Sequence, residues 1–229
     1  MAVPQLVRVM HRRRFAGQRG FSMAELLVVL GIIGIMSAIS LPYIVNYRKV
    51  LRSEDQAVKI MDLMTETAQL AVTRRRTFRL ELDLTDNAVK VIDERNPDPV
   101  SLINEQDRLL KSIPLDKAGD VRVDIIPTGV TKPNPPNYAN IAFATDAIGH
   151  LNGTTTVTGH SIWVARFQRD GSVVNNAGTP ISVNIFVWPP VSSGSSTPRN
   201  LKEVRAITLF GGSGAVRYWK YNGTTFVAA

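Results

Sequence analysis

An uncharged apolar segment near the N-terminus constrains this 229-residue chain more than any other feature. The segment runs for 20 residues, from Leu26 to Val45, and its apolar character is interrupted only by Ser37, Ser40, Pro42 and Tyr43. At about 1.5 Å per residue, a helix of this length spans roughly 30 Å, the thickness of one hydrocarbon core. We therefore predict a transmembrane helix over residues 21–46.

A basic leader precedes this segment. Residues 1–20 contain no acidic residue and five arginines: Arg8, Arg12, Arg13, Arg14 and Arg19. This asymmetry predicts a cytoplasmic N-terminus and export of the chain after residue 45. An ordinary signal peptide would have an apolar core of about 7 to 15 residues followed by a small-residue cleavage site. Here the small residue Gly20 precedes the apolar run and no such site follows it before Pro42, so the sequence disfavours this alternative.

The residues at this junction read Gly20-Phe21-Ser22-Met23-Ala24-Glu25. A glycine, a phenylalanine and a glutamate at this spacing before an apolar helix resemble the class III signal of type IV prepilins and type II secretion pseudopilins. The resemblance implies that a prepilin peptidase, which is also an N-methyltransferase, removes residues 1–20 by cutting after Gly20 and then methylates Phe21. It also implies that Glu25 is the assembly carboxylate and that Pro42 breaks the helix.

The same resemblance implies a location and partners. We expect a single-pass protein of the bacterial inner membrane whose globular domain lies in the periplasm. The expected partners are the peptidase and other pilin or pseudopilin subunits, with which the chain forms a hetero-oligomeric filament.

Glu25 has two physical explanations. A charged side chain costs about 2.5 to 3.5 kcal/mol at the centre of a membrane helix, and less near the interface. Pairing with the cationic amine of Phe21 on a neighbouring subunit would neutralise both charges. Alternatively, Ser22 and Glu25 have the spacing of a capping box, which satisfies free N–H groups at a helix start. Both explanations are compatible, because a negative charge is favourable at a helix N-terminus.

Positive charge is concentrated at the two ends of the chain. The formal net charge is +8, and five of these charges lie in the leader, which leaves 22 basic and 19 acidic residues after it. Residues 21–149 contain 15 basic and 17 acidic residues, whereas residues 150–229 contain 7 and 2. Contact with a polyanion is therefore expected in the C-terminal third. The chain has no cysteine, so a hydrophobic core must stabilise the exported domain without disulfides.

Apolar periodicity predicts the elements that follow the membrane segment. Steps of three and four residues predict an amphipathic continuation of the helix over residues 47–76, on the face formed by Ala57, Ile60, Met61, Met64, Ala68, Ala71 and Val72. At Thr77 the period changes to two. Phe78, Leu80 and Leu82 then alternate with Arg79, Glu81 and Asp83, which predicts a half-buried strand with Val89–Ile92 as its hairpin partner.

The remaining sequence is rich in predicted strands. A short helix is expected around Leu102–Lys111, a proline-rich loop over residues 127–140 and a loop over residues 189–200. Strands are predicted at Val121–Ile126, Ile141–Ala144, Ser161–Gln168, Ile181–Trp188, Val204–Phe210, Ala215–Tyr221 and Thr224–Val227. We therefore predict an α+β protein in which a long N-terminal hydrophobic helix packs on an antiparallel β-sheet, with a β-rich globular domain over residues 77–229.

Two short motifs narrow the resemblance. Phe167-x-x-Asp170-Gly171 and the stretch from Ala206 to Arg217 are similar to the minor pseudopilin H and FimT-type minor pilin group. This implies a structural subunit of a type II secretion pseudopilus or a type IV pilus.

An alternative function follows from the same group. FimT-like minor pilins bind DNA for natural transformation through basic residues near the C-terminus, and the matching positions here are Arg217 and Lys220. Trp219 stands where that pattern has a second arginine. The competing structural interpretation is a terminal hairpin in which Tyr218 and Trp219 pack on opposite faces and both cations are solvated.

The sequence gives little support to an enzyme. After residue 20 it has two histidines, His150 and His160, and Gly211–Gly214 lacks the lysine of a phosphate-binding loop. His160, Ser161 and Asp170 do not have a spacing that supports a catalytic triad. We expect no cofactor and no metal, because residues 172–229 contain one acidic residue, Glu203, and calcium requires several oxygen ligands.

Overall fold

The structure is a computed structural model that describes residues 21–95, 103–145 and 149–229, with the backbone alone at 42, 43, 45, 46, 48–50 and 103–106. The predicted leader, including Gly20, and Leu102 lie outside these ranges. The chain divides into two units, Met1–Val45 and Asn46–Ala229. The described part of the first unit is almost entirely helical, and the second unit is the globular domain.

The helix α1 (Met23–Arg74) begins two residues after and ends two residues before the limits predicted from the sequence, which were 21 and 76. Its C-terminus is closed by Arg75, which has a positive φ of 53°, and by the Arg76 N–H, which donates to the Ala71 carbonyl at 3.2 Å. This is the geometry of a Schellman motif. The predicted break at Pro42 is absent, since the helical backbone continues through that position. A proline removes only one helical hydrogen bond, and the turns on either side keep theirs.

Fourteen strands follow α1 in the described ranges. In chain order they are β1 (Phe78–Asp83), β2 (Ala88–Asp93), β3 (Ile103–Pro114), β4 (Arg122–Asp124), β5 (Ala139–Asn140), β6 (Ala144–Thr145), β7 (Gly149–Asn152), β8 (Thr155–Val157), β9 (Ser161–Phe167), β10 (Val173–Val174), β11 (Val183–Trp188), β12 (Arg205–Phe210), β13 (Ala215–Tyr221) and β14 (Phe226–Ala228). A single turn of 3-10 helix, Leu201–Glu203, precedes β12.

The strands form two sheets. The first has the order β10-β9-β1-β2-β3-β7-β8 with β6 paired to β9, and the second has the order β14-β13-β12-β11-β4 with β5 paired to β11. All described pairings are antiparallel except β3 with β7 and β5 with β11. The α+β prediction is confirmed, and the β-rich region contains two mainly antiparallel sheets.

One hydrophobic core joins α1 to both sheets. Its members include Ile60, Leu63 and Met64 from α1, Leu80 from the first sheet and Ile207 from the second. The predicted apolar face of α1 is correct except at Val72, which is exposed. Leu63 was not among the residues predicted for this face, and it is also buried.

The prediction that β1 is half-buried is wrong, because all six of its residues are buried. The strand is central in the first sheet, between β2 and β9. Phe78, Leu80 and Leu82 enter the hydrophobic core. The charged residues on the opposite face are also buried, and they form ion pairs with one another and with neighbouring strands.

The predicted helix around Leu102–Lys111 is also wrong, since its described residues belong to β3. The register of β2 and β3 pairs Val91 with Lys111 and Ile92 with Leu109, so Leu110 is an additional residue in a bulge. A bulge interrupts the alternation of the two faces and places Leu109 and Leu110 side by side. An irregular strand of this kind lacks the period of two by which strands are predicted.

Other boundaries differ in smaller ways. Of the predicted strand Ile141–Ala144, only Ala144 belongs to a strand, although Ile141 is buried and its N–H donates to the Asn184 carbonyl. The hairpin of β7 and β8 and the short strand β10 were not predicted. The loop 189–200 is fixed by Arg122, which donates to the carbonyls of Gly194 and Ser195 at 2.9 and 3.0 Å.

Candidate functional site

The start of α1 forms a reciprocal cap. The Ser22 N–H donates to Oε2 of Glu25 at 2.9 Å, and the Glu25 N–H donates to Oγ of Ser22 at 3.2 Å. These are the two hydrogen bonds of a capping box, as the spacing predicted. The arrangement holds the Glu25 carboxylate beside the first turn of the helix, one turn from Phe21. Both residues are exposed.

The apolar part of α1 has no cover within the described structure. Met23–Leu41 has a mean hydropathy of 2.3 and is 0% buried. Large side chains along its whole circumference are exposed, including Leu26, Ile33 and Ile39. A helix that is apolar on all sides is stable when lipid or other helices surround it. The segment is long and apolar enough to cross a membrane once.

Comparison with known protein families identifies this segment. Residues 15–41 match the family described as "Prokaryotic N-terminal methylation motif". The chain carries the N-terminal signal of type IV pilin-like proteins. This signal indicates membrane anchoring, processing by a prepilin peptidase and assembly with other pilins, which are structural subunits. No curated protein and no solved structure matches the chain.

The second predicted site, the C-terminal hairpin, has a different geometry from a nucleic-acid platform. Tyr218 and Trp219 are both buried, Tyr218 in the core that contains α1 and Trp219 in a second cluster with Phe186 and Trp188. Their rings therefore pack on opposite faces of the second sheet, and neither offers a free face on which a base could stack. Of the two predicted cations, Arg217 is exposed and Lys220 is half-buried.

Lys220 is held by an acidic residue that the sequence did not indicate. Its Nζ lies 2.6 Å from Oε1 of Glu54 in α1, and Arg205 lies 3.5 Å from the other oxygen of the same carboxylate. The hydrogen bond from Lys220 lowers the pKa of Glu54, against the opposing effect of burial. Glu54 is more than 150 residues from either cation along the chain, so no local pattern could have revealed the pair.

Most of the cations in the C-terminal third form ion pairs with acidic residues. Arg166 forms hydrogen bonds to both oxygens of Glu94, and Arg199 pairs with Glu203. Together with Arg205 and Lys220, four of the seven cations in residues 150–229 are in ion pairs. Within the described ranges, Lys202 and Arg217 form no ion pair, and Arg169 interacts electrostatically with the adjacent Asp170. Lys202 and Arg217 are therefore the cations of this region that have no acidic group beside them in the described structure.

A buried ionic network lies on the far face of β1. Arg79 donates to Glu81 at 2.7 Å, to Glu94 at 3.1 Å and to Asp107 at 3.1 Å, while its remaining nitrogen donates to the Gly149 carbonyl. Burial raises the pKa of both Glu81 and Asp107, although Arg79 opposes that effect. The guanidinium is surrounded by protein acceptors, which is the arrangement of a structural ion cluster.

His150 packs against this network. Its Nδ1 lies 3.4 Å from Oε2 of Glu81, and the residue is 3% exposed. Burial, together with the positive charges of Lys90 and Arg79, lowers the pKa of His150 to about 4. The imidazole is therefore neutral at physiological pH.

A third group contains the remaining histidine. His160, Asp83 and Asp86 place one ligand atom each within 4.8 Å of one another. The ammonium of Lys90 lies between the two carboxylates, 2.7 Å from Asp83 and 2.5 Å from Asp86, where a cation would bind. Burial would raise the pKa of Asp83, but hydrogen bonds from Lys90 and His160 lower it. His160 contacts this cluster at Nδ1, whereas Asp170 accepts from Ser172, so the two do not form a triad.

The ionic network predicts that two arginines differ strongly in their contribution to the free energy of unfolding. Arg79→Met leaves the buried carboxylates of Glu81 and Asp107 without their guanidinium, while Glu94 keeps Arg166, and it should lower the free energy of unfolding by about 3–5 kcal/mol. Arg76→Met removes a half-exposed partner of Asp93 and should cost about 1 kcal/mol or less. Urea unfolding of a fragment spanning residues 46–229 measures both. Equal losses in the two variants would show that the network is not essential to the sheet.

The lowered pKa of His150 predicts that the free energy of unfolding depends on pH. Because its folded pKa is about 4 and its ordinary value is 6.5, the unfolded chain binds the proton first as pH falls. Stability from His150 is present above pH 6.5 and is lost as pH falls towards 4, by ~3 kcal/mol in total. The raised pKa values of Glu81 and Asp107 act in the opposite sense, so the contribution of His150 must be isolated by substitution.

The comparison is between the native fragment and His150→Gln, each unfolded with urea at a series of pH values from 7 down to 4.5. The native fragment should lose more stability over this range than the variant, by an amount on the order of 2–3 kcal/mol. Parallel curves for the two proteins would mean that His150 is not held neutral by the fold.

Proposed function

We propose that this chain is a minor pilin or pseudopilin, a structural subunit of a type IV pilus or a type II secretion pseudopilus. In this proposal a prepilin peptidase cuts after Gly20 and methylates Phe21, and α1 then carries the subunit into the filament. The observation that supports it most directly is the uncovered apolar helix Met23–Leu41 with a capped carboxylate at its start. An exposed apolar helix is stable in the membrane before assembly, and it is stable among neighbouring helices after assembly into the filament.

The position of Glu25 supports its role in assembly. Within the described structure its carboxylate accepts a backbone N–H and has no cationic partner. After cleavage, the amine of Phe21 on a neighbouring subunit is a cation at the same level of the helix. An ion pair between the two removes the cost of carrying either charge into an apolar filament core. The pair also fixes the axial offset between subunits.

The basic leader supports the proposed orientation. Five arginines on the N-terminal side of the span favour a cytoplasmic N-terminus, which places Asn46–Ala229 outside the cytoplasm. Absence of cysteine is compatible with that location, because the domain does not depend on the redox state of its compartment.

Two substitutions separate the charge of Glu25 from its capping role. Glu25→Gln keeps an oxygen that can accept the Ser22 N–H but removes the charge, whereas Ser22→Ala removes one capping hydrogen bond and keeps the charge. If the ion pair drives assembly, Glu25→Gln should reduce incorporation into sheared filaments by about tenfold or more, the equivalent of 1.4 kcal/mol. Ser22→Ala should reduce it by only a few fold.

Immunoblots of sheared filaments and of the membrane fraction measure the ratio for each variant. Both variants should be present in the membrane at native levels, because the apolar span is unchanged. Normal incorporation of Glu25→Gln, or an equal defect in Ser22→Ala, would contradict an assembly role for the charge.

A further inference from the structure

A groove of about 440 Å³ lies on the second sheet, on the face opposite the core that contains α1. On β12, Ile207 and Leu209 point into that core, so Thr208 and Phe210 point to the groove. The loop residues Pro135 and Tyr138 and Arg217 of β13 also line the groove. This combination of apolar walls and a single charged side chain is typical of a ligand site.

The apolar wall is formed by two stacked rings. The centroids of Tyr138 and Phe210 are 6.3 Å apart and their planes differ by 21°. Phe210 nevertheless remains 44% exposed. An aromatic side chain in this position can still bury apolar surface against a bound molecule.

Arg217 is held in place without an acidic partner. Its guanidinium carbon lies 5.4 Å from the ring of the buried Trp219. That ring is fixed in turn, because its Nε1 donates to Oγ1 of Thr208 at 2.8 Å and this hydroxyl donates to Oδ1 of Asn184 at 2.8 Å. The part of the chain that the structure describes offers Arg217 no carboxylate. Its five N–H donors are therefore available to a ligand from outside.

The surroundings of Arg217 select a ligand with few charges. Lys220, the cation three residues further on, is paired with Glu54 of α1 and lies over Tyr218, on the face of the sheet opposite the groove. Nucleic-acid binding draws on several phosphate contacts made by several cations. A single guanidinium matches a single carboxylate, which it can bind through two parallel hydrogen bonds.

We propose that this groove binds an acidic peptide segment of a partner protein, with a carboxylate on Arg217 and an adjacent apolar side chain against Tyr138 and Phe210. The proposal does not depend on the filament function, since it concerns the groove alone. In this arrangement Arg217 recognises a carboxylate of the partner protein. The stacked rings select an apolar side chain next to it.

The test uses the full chain in detergent micelles and the tripeptide acetyl-Phe-Asp-Phe-amide, with acetyl-Phe-Asn-Phe-amide as the uncharged control. The chain has three tryptophans, so three indole N–H signals can be followed by NMR. The signal of Trp219 should shift on addition of the Asp peptide, because its N–H donates to Thr208, which lines the groove, and its ring lies under Arg217. Those of Trp163 and Trp188 should not move. The Asn peptide should bind about tenfold more weakly, as expected when a charge-assisted pair is lost.

Variants identify the side chain responsible. Arg217→Gln should weaken binding of the Asp peptide about tenfold, whereas Arg169→Gln, which removes an exposed arginine elsewhere, should leave it unchanged. Circular dichroism checks that both variants are folded. Equal binding of the two peptides, no shift at Trp219, or unchanged binding by Arg217→Gln would overturn the proposal. Arg217-dependent binding of single-stranded oligothymidylate without a peptide response would also overturn it, in favour of a nucleic-acid site.

Discussion

The globular domain depends on the packing of one helical face against two sheets at once. Ile60, Leu63 and Met64 of α1 belong to the same core as Leu80 of the first sheet and Ile207 of the second. Neither sheet could bury its inner face without this helix, and a helix with an apolar stripe is stabilised mainly by such packing. The helix whose C-terminal part forms the core therefore also contains the apolar segment at its N-terminal end.

The outer faces of the two sheets are stabilised by different means. On the first sheet, Arg79 and its carboxylate partners occupy the outer face, and every nitrogen of the Arg79 guanidinium forms a hydrogen bond. On the second sheet, Phe186, Trp188 and Trp219 form a separate apolar cluster. Removal of one partner from the ionic face would strongly lower the stability of the domain, because a buried charge would be left unpaired. The aromatic face leaves a groove at its edge, where Arg217 packs on Trp219 and forms no ion pair among the described side chains.

Local patterns in the sequence predicted the parts of this structure that local physics determines. The period of α1, the switch to strands at Thr77 and the capping box of Ser22 and Glu25 all depend on neighbours within about four residues. The signal at Gly20, Phe21 and Glu25 was read from sequence, and the match over residues 15–41 supports its type, although Gly20 lies outside the described residues.

Features that depend on distant residues could not be predicted in this way. Arg79, Glu81 and Asp83 have the alternation of a solvated strand face, and only partners on other strands make their burial possible. Glu54 forms an ion pair with Lys220 across more than 160 residues of chain, a partner that no local pattern could indicate. The bulge at Leu110 removed the alternation that would have identified β3.

A single chain carries both the N-terminal signal and the globular domain. The signal and the uncovered helix indicate a membrane-anchored, pilin-like protein, and the domain presents a groove suited to a carboxylate. The central claim is that the mature chain begins at Phe21. The most direct measurement is mass spectrometry of the N-terminal peptide of the protein isolated from membranes, with Gly20→Ala as the control. For the native protein we expect a peptide that begins at Phe21 and carries one added methyl group. For Gly20→Ala we expect a chain that retains the leader. A native chain that retains residues 1–20, or one cut after the apolar segment, would contradict it.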